Sequence, residues 1–403
     1  MSQTASGEPR RHFWAMSILV LVAALAAIAL VPPAPSQARE RVRVMTRNLY
    51  LGADLSPGTS ATSFQELVNA AGQILNQVDQ NKFQVRAKGL AQEILNQNPD
   101  LVGLQEAALW RDAPCTDNPL NFTATHVRPG GDFLGLLMNQ LNKDGPRYRL
   151  VISEPEFDFQ IWANTDGNES TGTPFGCEIE GRLTMRDAIL ARVGKDGPRF
   201  TLPRVQTSNS KRGHFDTLLQ VTPAGVEIDV TRGWTSVDAK VTGAPQIRFV
   251  NTHLEAFDNQ ASNHTNQDTD VGNGVVRWAQ AKELVANGGP ATGSLPVILV
   301  GDLNSDVRTP LKPGDQFAHR ALLNAGFANR STYDPLSCCL DSALLTAGGG
   351  GSVSDFDHKV DHVMTDAPAR VNLVRSTVTG RFPVNGFWDS DHAGIASALG
   401  FGF

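Results

Sequence analysis

Six times along this 403-residue chain a cluster of Asp, Asn, Glu or His sits at one end of a short apolar run. The clusters are Asn48, Gln105-Glu106, Asn251-Thr252-His253, Gly301-Asp302-Leu303-Asn304, Lys359-Val360-Asp361-His362 and Ser390-Asp391-His392. A short apolar run rich in β-branched residues reads as a buried strand, and a buried strand fixes the side chain at its mouth. Taken singly, an Asp or His at a strand end is a surface cap, and Gly-Asp-x-Asn is a type I turn. Their repetition constrains the chain to a sheet whose strand ends gather polar chemistry. Asp302 and Asn304 are two apart, so on extended chain they point the same way.

Between these clusters the periodicity changes. Residues 41–48 alternate, with Val42, Val44, Thr46 and Asn48 on one face and Arg41, Arg43 and Arg47 on the other, as in a half-buried strand. Two helical stretches follow; in the second, Phe83, Ala87, Leu90, Ala91, Ile94 and Leu95 recur at helical spacing and Pro99 stops the run. Leu101–Leu104 is a short apolar strand, and 132–142 is a helix with Phe133, Leu137 and Leu141 on one side. From 150 to 250 the pattern is mostly β, with strands expected at Ala188–Val193, Phe215–Val221, Val226–Val230, Ser236–Val241 and Ile247–Asn251. A polar loop runs from Leu254 to about Gly274, then come a helix at Val275–Val285 and a buried strand at Val297–Val300. That loop's Asp268 and Asp270 do not make an oxygen cage for calcium, and Gly348–Gly351 lacks the Lys-Ser/Thr of a phosphate-cradling loop. Strands alternating with helices at both ends and hairpins in the middle imply an α/β chain with a two-layer sheet core flanked by helices.

The N-terminus is set apart. Arg10-Arg11, an apolar run from Ala15 to Val31 and the small-residue site Ser36-Gln37-Ala38 have the order of a secretory signal peptide, with the paired arginines pointing to the twin-arginine route. An uncleaved anchor is the alternative, for which the apolar run is short. The expected division is therefore 1–38 as signal peptide and 39–403 as one domain. The whole chain carries a net charge of −6, and losing Glu8, Arg10 and Arg11 makes the remainder more acidic still. That argues against a broad basic surface gripping long nucleic acid, though bound metal and a local Arg can hold one phosphate. Of the four cysteines, Cys115 and Cys177 both lie in Gly/Pro/Asn-rich loops and are the preferred disulfide; the spacing fits no zinc site.

The motifs Asn-Thr-His-Leu at 251–254, Gly-Asp-Leu-Asn at 301–304 and Ser-Asp-His at 390–392, with the other three clusters in the same order, resemble the endonuclease/exonuclease/phosphatase superfamily over about residues 41–398. The resemblance implies a four-layer α/β-sandwich, two packed mixed sheets flanked by helices. It implies Mg²⁺ (or Mn²⁺) held by Glu106, Asn48 and Asp391, with Asn48 also at the substrate. Asp302 and Asn304 correspond to the pair that orients water and holds a phosphate oxygen, His253 to the histidine on the phosphate, and His392 to a general base paired with Asp361. Arg186, in competition with Arg182, corresponds to a cationic contact to the phosphate. The chemistry agrees: an anionic phosphodiester needs a hard cation on oxygen donors, a proton acceptor near neutrality and a hydrogen-bond donor that adds no charge. His362 is expected to be structural, and His126, His214 and His358 have no assigned role.

The branch is narrower. Ser305-Asp306 follows Asn304, and a Trp-Cys-Asp-Arg segment is absent, so the inositol polyphosphate 5-phosphatase pattern is not met. Repair of chromosomal DNA conflicts with export. A secreted nuclease is the favoured expectation and a sphingomyelinase-like lipid phosphodiesterase the alternative, with Phe387-Trp388 as either a membrane-entering element or a packed rim. A non-catalytic binding member of the same fold is the reading of another class, and no obligate protein partner is indicated.

Overall fold

The computed structural model describes residues 41–169, 173–194, 204–257, 274–308, 316–332, 335–341, 351–366 and 371–402. The expected signal peptide, Asp268, Asp270 and most of the Gly348–Gly351 run lie outside the described residues. From Arg41 onward the chain is one compact unit.

Elements are numbered in chain order. The first half holds β1 (Arg41–Asn48), α1 (Ser56–Thr59), α2 (Phe64–Asn81), α3 (Phe83–Gln97), β2 (Leu101–Gln105), β3 (Leu109–Pro114), β4 (His126–Asp132), α4 (Phe133–Leu141), β5 (Tyr148–Ala163) and β6 (Ile179–Arg192). The middle holds β7 (Val205–His214), β8 (Leu219–Val221), β9 (Ile228–Val230), β10 (Gly233–Val241) and β11 (Gln246–His253). The last part holds α5 (Val275–Val285), β12 (Val297–Asp302), α6 (Phe317–Asn324), β13 (Ala328–Asn329), β14 (Asp361–Thr365), β15 (Val371–Thr379) and β16 (Gly394–Phe401). An eight-stranded sheet runs β15-β16-β1-β2-β6-β3-β4 with β5 beside β6, and a six-stranded sheet runs β13-β14-β12-β11-β10-β7.

Three apolar layers separate four structural ones, as the α/β-sandwich expectation requires. Val42, Val44, Leu101 and Ile189 of the first sheet meet Val237, Phe249, Ile298 and Val300 of the second. The outer face of the first sheet buries Met45, Val102 and Leu190 against Leu75, Phe83, Leu90 and Leu137 of the helices. The outer face of the second buries Val250 and Leu299 against Ala281, Leu284 and Leu322. The sheets approach closely at β2, where a Cβ on Gly103 would collide with Asn251 and Val300 across the interface. Local signals set the helices: Ser63 and Glu66 form a capping box at the start of α2, and Lys82, left-handed at φ 48°, breaks α2 from α3.

Several expectations change. Arg47 does not face solvent with Arg41 and Arg43: it is fully buried, 2.8 Å from Glu93 of α3, and donates to the carbonyls of Asn48 and His392. β1 is thus buried on both faces from Val44 to Asn48, because α3 covers its outer side. The expected strand at Phe215–Val221 is only Leu219–Val221, and it pairs with Ile228–Val230 as a small separate sheet. The amides of Asp216 and Thr217 instead bond Glu283 of α5, which takes that stretch out of extended pairing. Phe387 and Trp388 are buried, Trp388 against Tyr50, Leu340 and Phe356, so the packed rim is what the sequence forms there. Cys115 and Cys177 are joined as a disulfide, and Cys338 is joined to Cys339.

Candidate active site

The strand registers bring the polar clusters to one edge of the sandwich. β1 and β2 run parallel with Asn48 opposite Gln105. β11 and β12 run parallel with His253 opposite Asp302, and antiparallel β14 places Asp361 opposite Asp302. The ends of five strands thus arrive at one edge, and β12 supplies its centre.

Asn48 links the sheets: its Nδ2 is 3.0 Å from both Glu106 Oε1 and Asp302 Oδ2, and 3.5 Å from His392 Nε2. Its Oδ1 accepts from the amide of Tyr50, while Glu106 Oε2 accepts from the amide of Leu51 at 2.7 Å. Glu106 and Asn304 both take left-handed backbone, φ 55° and 45°, which turns each chain sharply just after its strand. Asn304 donates its amide N–H to Asp302 Oδ1 and its side-chain NH₂ to the carbonyl of Leu254.

Two histidines flank Asp302. His392 Nε2 is 3.5 Å and His253 Nε2 is 3.8 Å from Asp302 Oδ2. His392 Nδ1 lies 3.0 Å from Asp361 Oδ2. Burial alone would lower the His392 pKa, but the surrounding Asp361, Asp302 and Asp391 hold it well above the ordinary histidine value. His253 is the opposite case: burial first, then Arg232 and His392, hold it well below. Its Nδ1 is 3.1 Å from Arg232 Nη1. A guanidinium only donates, so Nδ1 accepts and Nε2 carries the proton toward Asp302.

The carboxylates fit a divalent cation. Burial pushes Asp302 up to about 6 and Asp391 up to about 7, so each sits where positive charge would restore the ionised form. Glu106 and Asp391 keep 13% and 17% of their side chains exposed, at the mouth of the cleft. Glu106 and Asp391 offer carboxylate oxygens, the hard donors that Mg²⁺ or Mn²⁺ takes, whereas the expected ligand Asn48 turns its oxygen to the Tyr50 amide and its Nδ2 to Glu106 and Asp302, so it orders the carboxylates instead of joining them.

The expected residues Asn48, Glu106, His253, Asp302, Asn304, Asp361, Asp391 and His392 are brought together. Arg186 is not. Its guanidinium is spent on Asp132 at 2.7 Å and on the carbonyls of Ala107 and Ala108, fastening the turn after Glu106. Arg182 pairs with Asp158. The buried cation beside the site is Arg232, held by Glu255 at 3.1 Å and near Glu156 at 3.9 Å. Sequence reading missed Arg232 because a lone Arg between two short β runs looks like a solvated cation until Glu156 and Glu255 close around it. It missed Glu156 because Glu154-Pro155-Glu156 reads as a turn, although it lies inside β5. Glu255 carried a signal, directly after Asn-Thr-His-Leu. Burial raises Glu156 to about 8 and Asp187 well above its usual range, behind His253. His362 is structural as expected, buried with Nε2 3.2 Å from the Ser305 carbonyl.

The model of the Endonuclease/Exonuclease/phosphatase family matches residues 68–392. No curated protein matches. Among solved structures, an endonuclease/exonuclease/phosphatase family protein from Bacteroides thetaiotaomicron is 14% identical, with 91% of this chain and 99% of that one covered at a TM-score of 0.49. A Beutenbergia cavernae DSM 12333 endonuclease/exonuclease/phosphatase is 18% identical, with 90% and 72% covered at 0.46. A mannosyl-6-phosphatase from Bacteroides thetaiotaomicron VPI-5482 is 15% identical, with 89% and 100% covered at 0.45. At these identities the likeness bears on no residue's role. Members of the matched family are phosphoesterase hydrolases and generally depend on a divalent metal ion. With most of its length matched, and with that sandwich and its convergent strand ends, this chain belongs to the endonuclease/exonuclease/phosphatase family.

Proposed function

We propose that the protein is a metal-dependent phosphodiesterase in which His392 activates water and His253 supports the phosphoryl group. The observation that carries this reading is the pair of imidazole Nε2 atoms, 3.5 Å and 3.8 Å from one carboxylate oxygen of Asp302. With Nδ1–H donated to Asp361, neutral His392 presents the Nε2 lone pair to a water positioned by Asp302 and Asn48. The water oxygen bonds phosphorus, the P–O bond to the leaving group breaks, His392 takes the water's proton, and the leaving oxygen gains a proton from solvent. His253, neutral with Nε2–H forward, donates a hydrogen bond to a phosphoryl oxygen, and Arg232 behind it adds positive field. Glu106 and Asp391 would hold a divalent cation, which when bound would neutralise the charge that builds on the phosphoryl oxygens, with Asn48 Nδ2 keeping Glu106 in place.

A chromogenic phosphodiester should be hydrolysed with Mg²⁺ and not after EDTA. Glu106→Gln should raise the Mg²⁺ concentration needed while leaving the fold intact; full activity of that variant at limiting Mg²⁺ would refute the site. Export belongs to the same proposal. The Cys115–Cys177 disulfide supports it, since disulfides persist in oxidising compartments. Mass spectrometry of protein from the culture medium should place the N-terminus near Arg39, and a chain still carrying Ala15–Val31 would sink it.

A further inference from the structure

The reaction centre is one end of a larger chamber. A cavity of about 530 Å³ includes Glu106, His253, Asp302, Asn304, Asp391 and His392, and continues away from them between the first sheet and α2. Its far walls are hydrocarbon. Phe157, Phe159 and Ile161 alternate onto the cavity face of β5, and Leu183 and Met185 onto that of β6. α2 contributes Ala71, a small side chain that leaves room where a larger one would fill it. The β8–β9 hairpin, outside both main sheets, contributes Leu219 and Val230 as a roof, and the hydrogen bond from the amide of Ala224 to the carbonyl of Ala61 ties that hairpin down near α2. Met185 joins the two ends: its Sδ is 3.6 Å from Arg232 Nη1, the guanidinium that orients His253.

Protein interiors close voids larger than a water, because an unfilled apolar cavity costs stability in proportion to its volume. A chamber of this size, opening on the phosphate chemistry, has the dimensions and lining of a ligand site. Its occupant must carry a phosphate ester at one end and apolar surface at the other. A nucleic acid strand fits poorly. Its backbone needs cations along its track, whereas the lining outside the reaction centre adds Asp54, Asp306, Asp341 and Asp357. A base would also need polar partners for its edges, and the β5 and β6 walls, formed by Phe157, Phe159, Ile161, Leu183 and Met185, are hydrocarbon.

Resting on the phosphodiesterase reading, we propose that the substrate is a phosphoester bearing a hydrocarbon chain, and that the chain lies in the cavity between α2, β5, β6 and the β8–β9 hairpin. This reverses the preference for nucleic acid that the sequence alone gave. Isothermal titration with Mg²⁺, using inorganic phosphate and then butyl, hexyl, octyl and decyl phosphate as monomers, reads the cavity directly. Affinity should rise by about fourfold for each added methylene until the chamber is full, then level off. Ala71→Phe should flatten the series. Ala71→Leu, a smaller change retained as the second variant should Ala71→Phe fail to fold, should bring the plateau forward to a shorter chain. Equal affinity across the series in the unaltered protein, or an oligonucleotide that displaces decyl phosphate at equal concentration, would overturn the proposal. Hydrolysis is read separately with a methyl p-nitrophenyl phosphodiester. If that ester is inert while binding still rises with chain length, the reaction is wrong and the specificity of the cavity stands.

Discussion

At the scale of the residue, the surroundings of the two histidines push them in opposite directions, as the proposed reaction would use them. Asp361, Asp302 and Asp391 favour the imidazolium form of His392, while Arg232 disfavours it in His253. A general base must be neutral to accept a proton, so activity should rise with pH until His392 has lost its own. In Asp361→Asn the imidazole loses a stabilising negative charge and its pKa falls. The acidic limb of the kcat/KM profile should therefore move to lower pH, while the maximum rate drops because nothing fixes the ring. His392→Ala should cost about 10²–10⁴-fold in turnover at neutral pH. An acidic limb that stays in place in Asp361→Asn, or a loss of only a few-fold in His392→Ala, would mean that another group is the base. The residues of this pair were legible because each ends or begins a strand beside a turn. Arg232 was not: an Arg before Gly233 looks like any solvated cation until the fold closes Glu156 and Glu255 around it.

At the scale of the element, what the sequence revealed depended on which face a strand buries. β2 and β12 are buried at every position, so their apolar runs announced them. β7 lies at the edge of the second sheet and is polar and exposed along most of its length, so Val205–His214 had no apolar pattern to find. β5 was obscured for a different reason. It is 16 residues long with register shifts near Leu150 and Pro155, and each shift resets the alternation that a reader follows. The chamber was hidden by the same segment, since its walls come from β5, β6 and a hairpin whose first strand is shorter than its apolar stretch suggested. Catalytic polar residues stand out against apolar strands. A hydrocarbon wall looks like any core until the structure shows it lining a cavity.

At the scale of the whole molecule, the proposed metal site would couple cation binding to proton binding at the buried acids. Asp302 at about 6 and Asp391 at about 7 have folded pKa values above those of an unfolded Asp. Groups raised in this way stabilise the fold most below the unfolded value, and that stabilisation is lost as pH rises through the folded one. Between about pH 4 and 7 the fold therefore becomes progressively less favoured by these two groups as they ionise. A divalent cation favours the ionised form and reverses the penalty, but at low pH it must first displace the protons. The gain in melting temperature from saturating Mg²⁺ over EDTA should thus be larger at pH 8 than at pH 5.5. Other buried groups pull on stability too. His253 and His362 are held well below the ordinary value and His319 is lowered to about 4, so they favour the fold as pH rises through about 6.5, while Asp389, raised to about 8, does the reverse. The contributions of His362, His319 and Asp389 are present with and without Mg²⁺ and largely cancel in the difference, so the comparison reads the cleft, where His253 and His392 respond to the cation together with the carboxylates. Asp391→Asn should shrink the pH dependence of the Mg²⁺ effect, because one of the two displaced protons is gone. A Mg²⁺ gain that is equal at both pH values, or larger at pH 5.5, would place the cation away from Asp302 and Asp391.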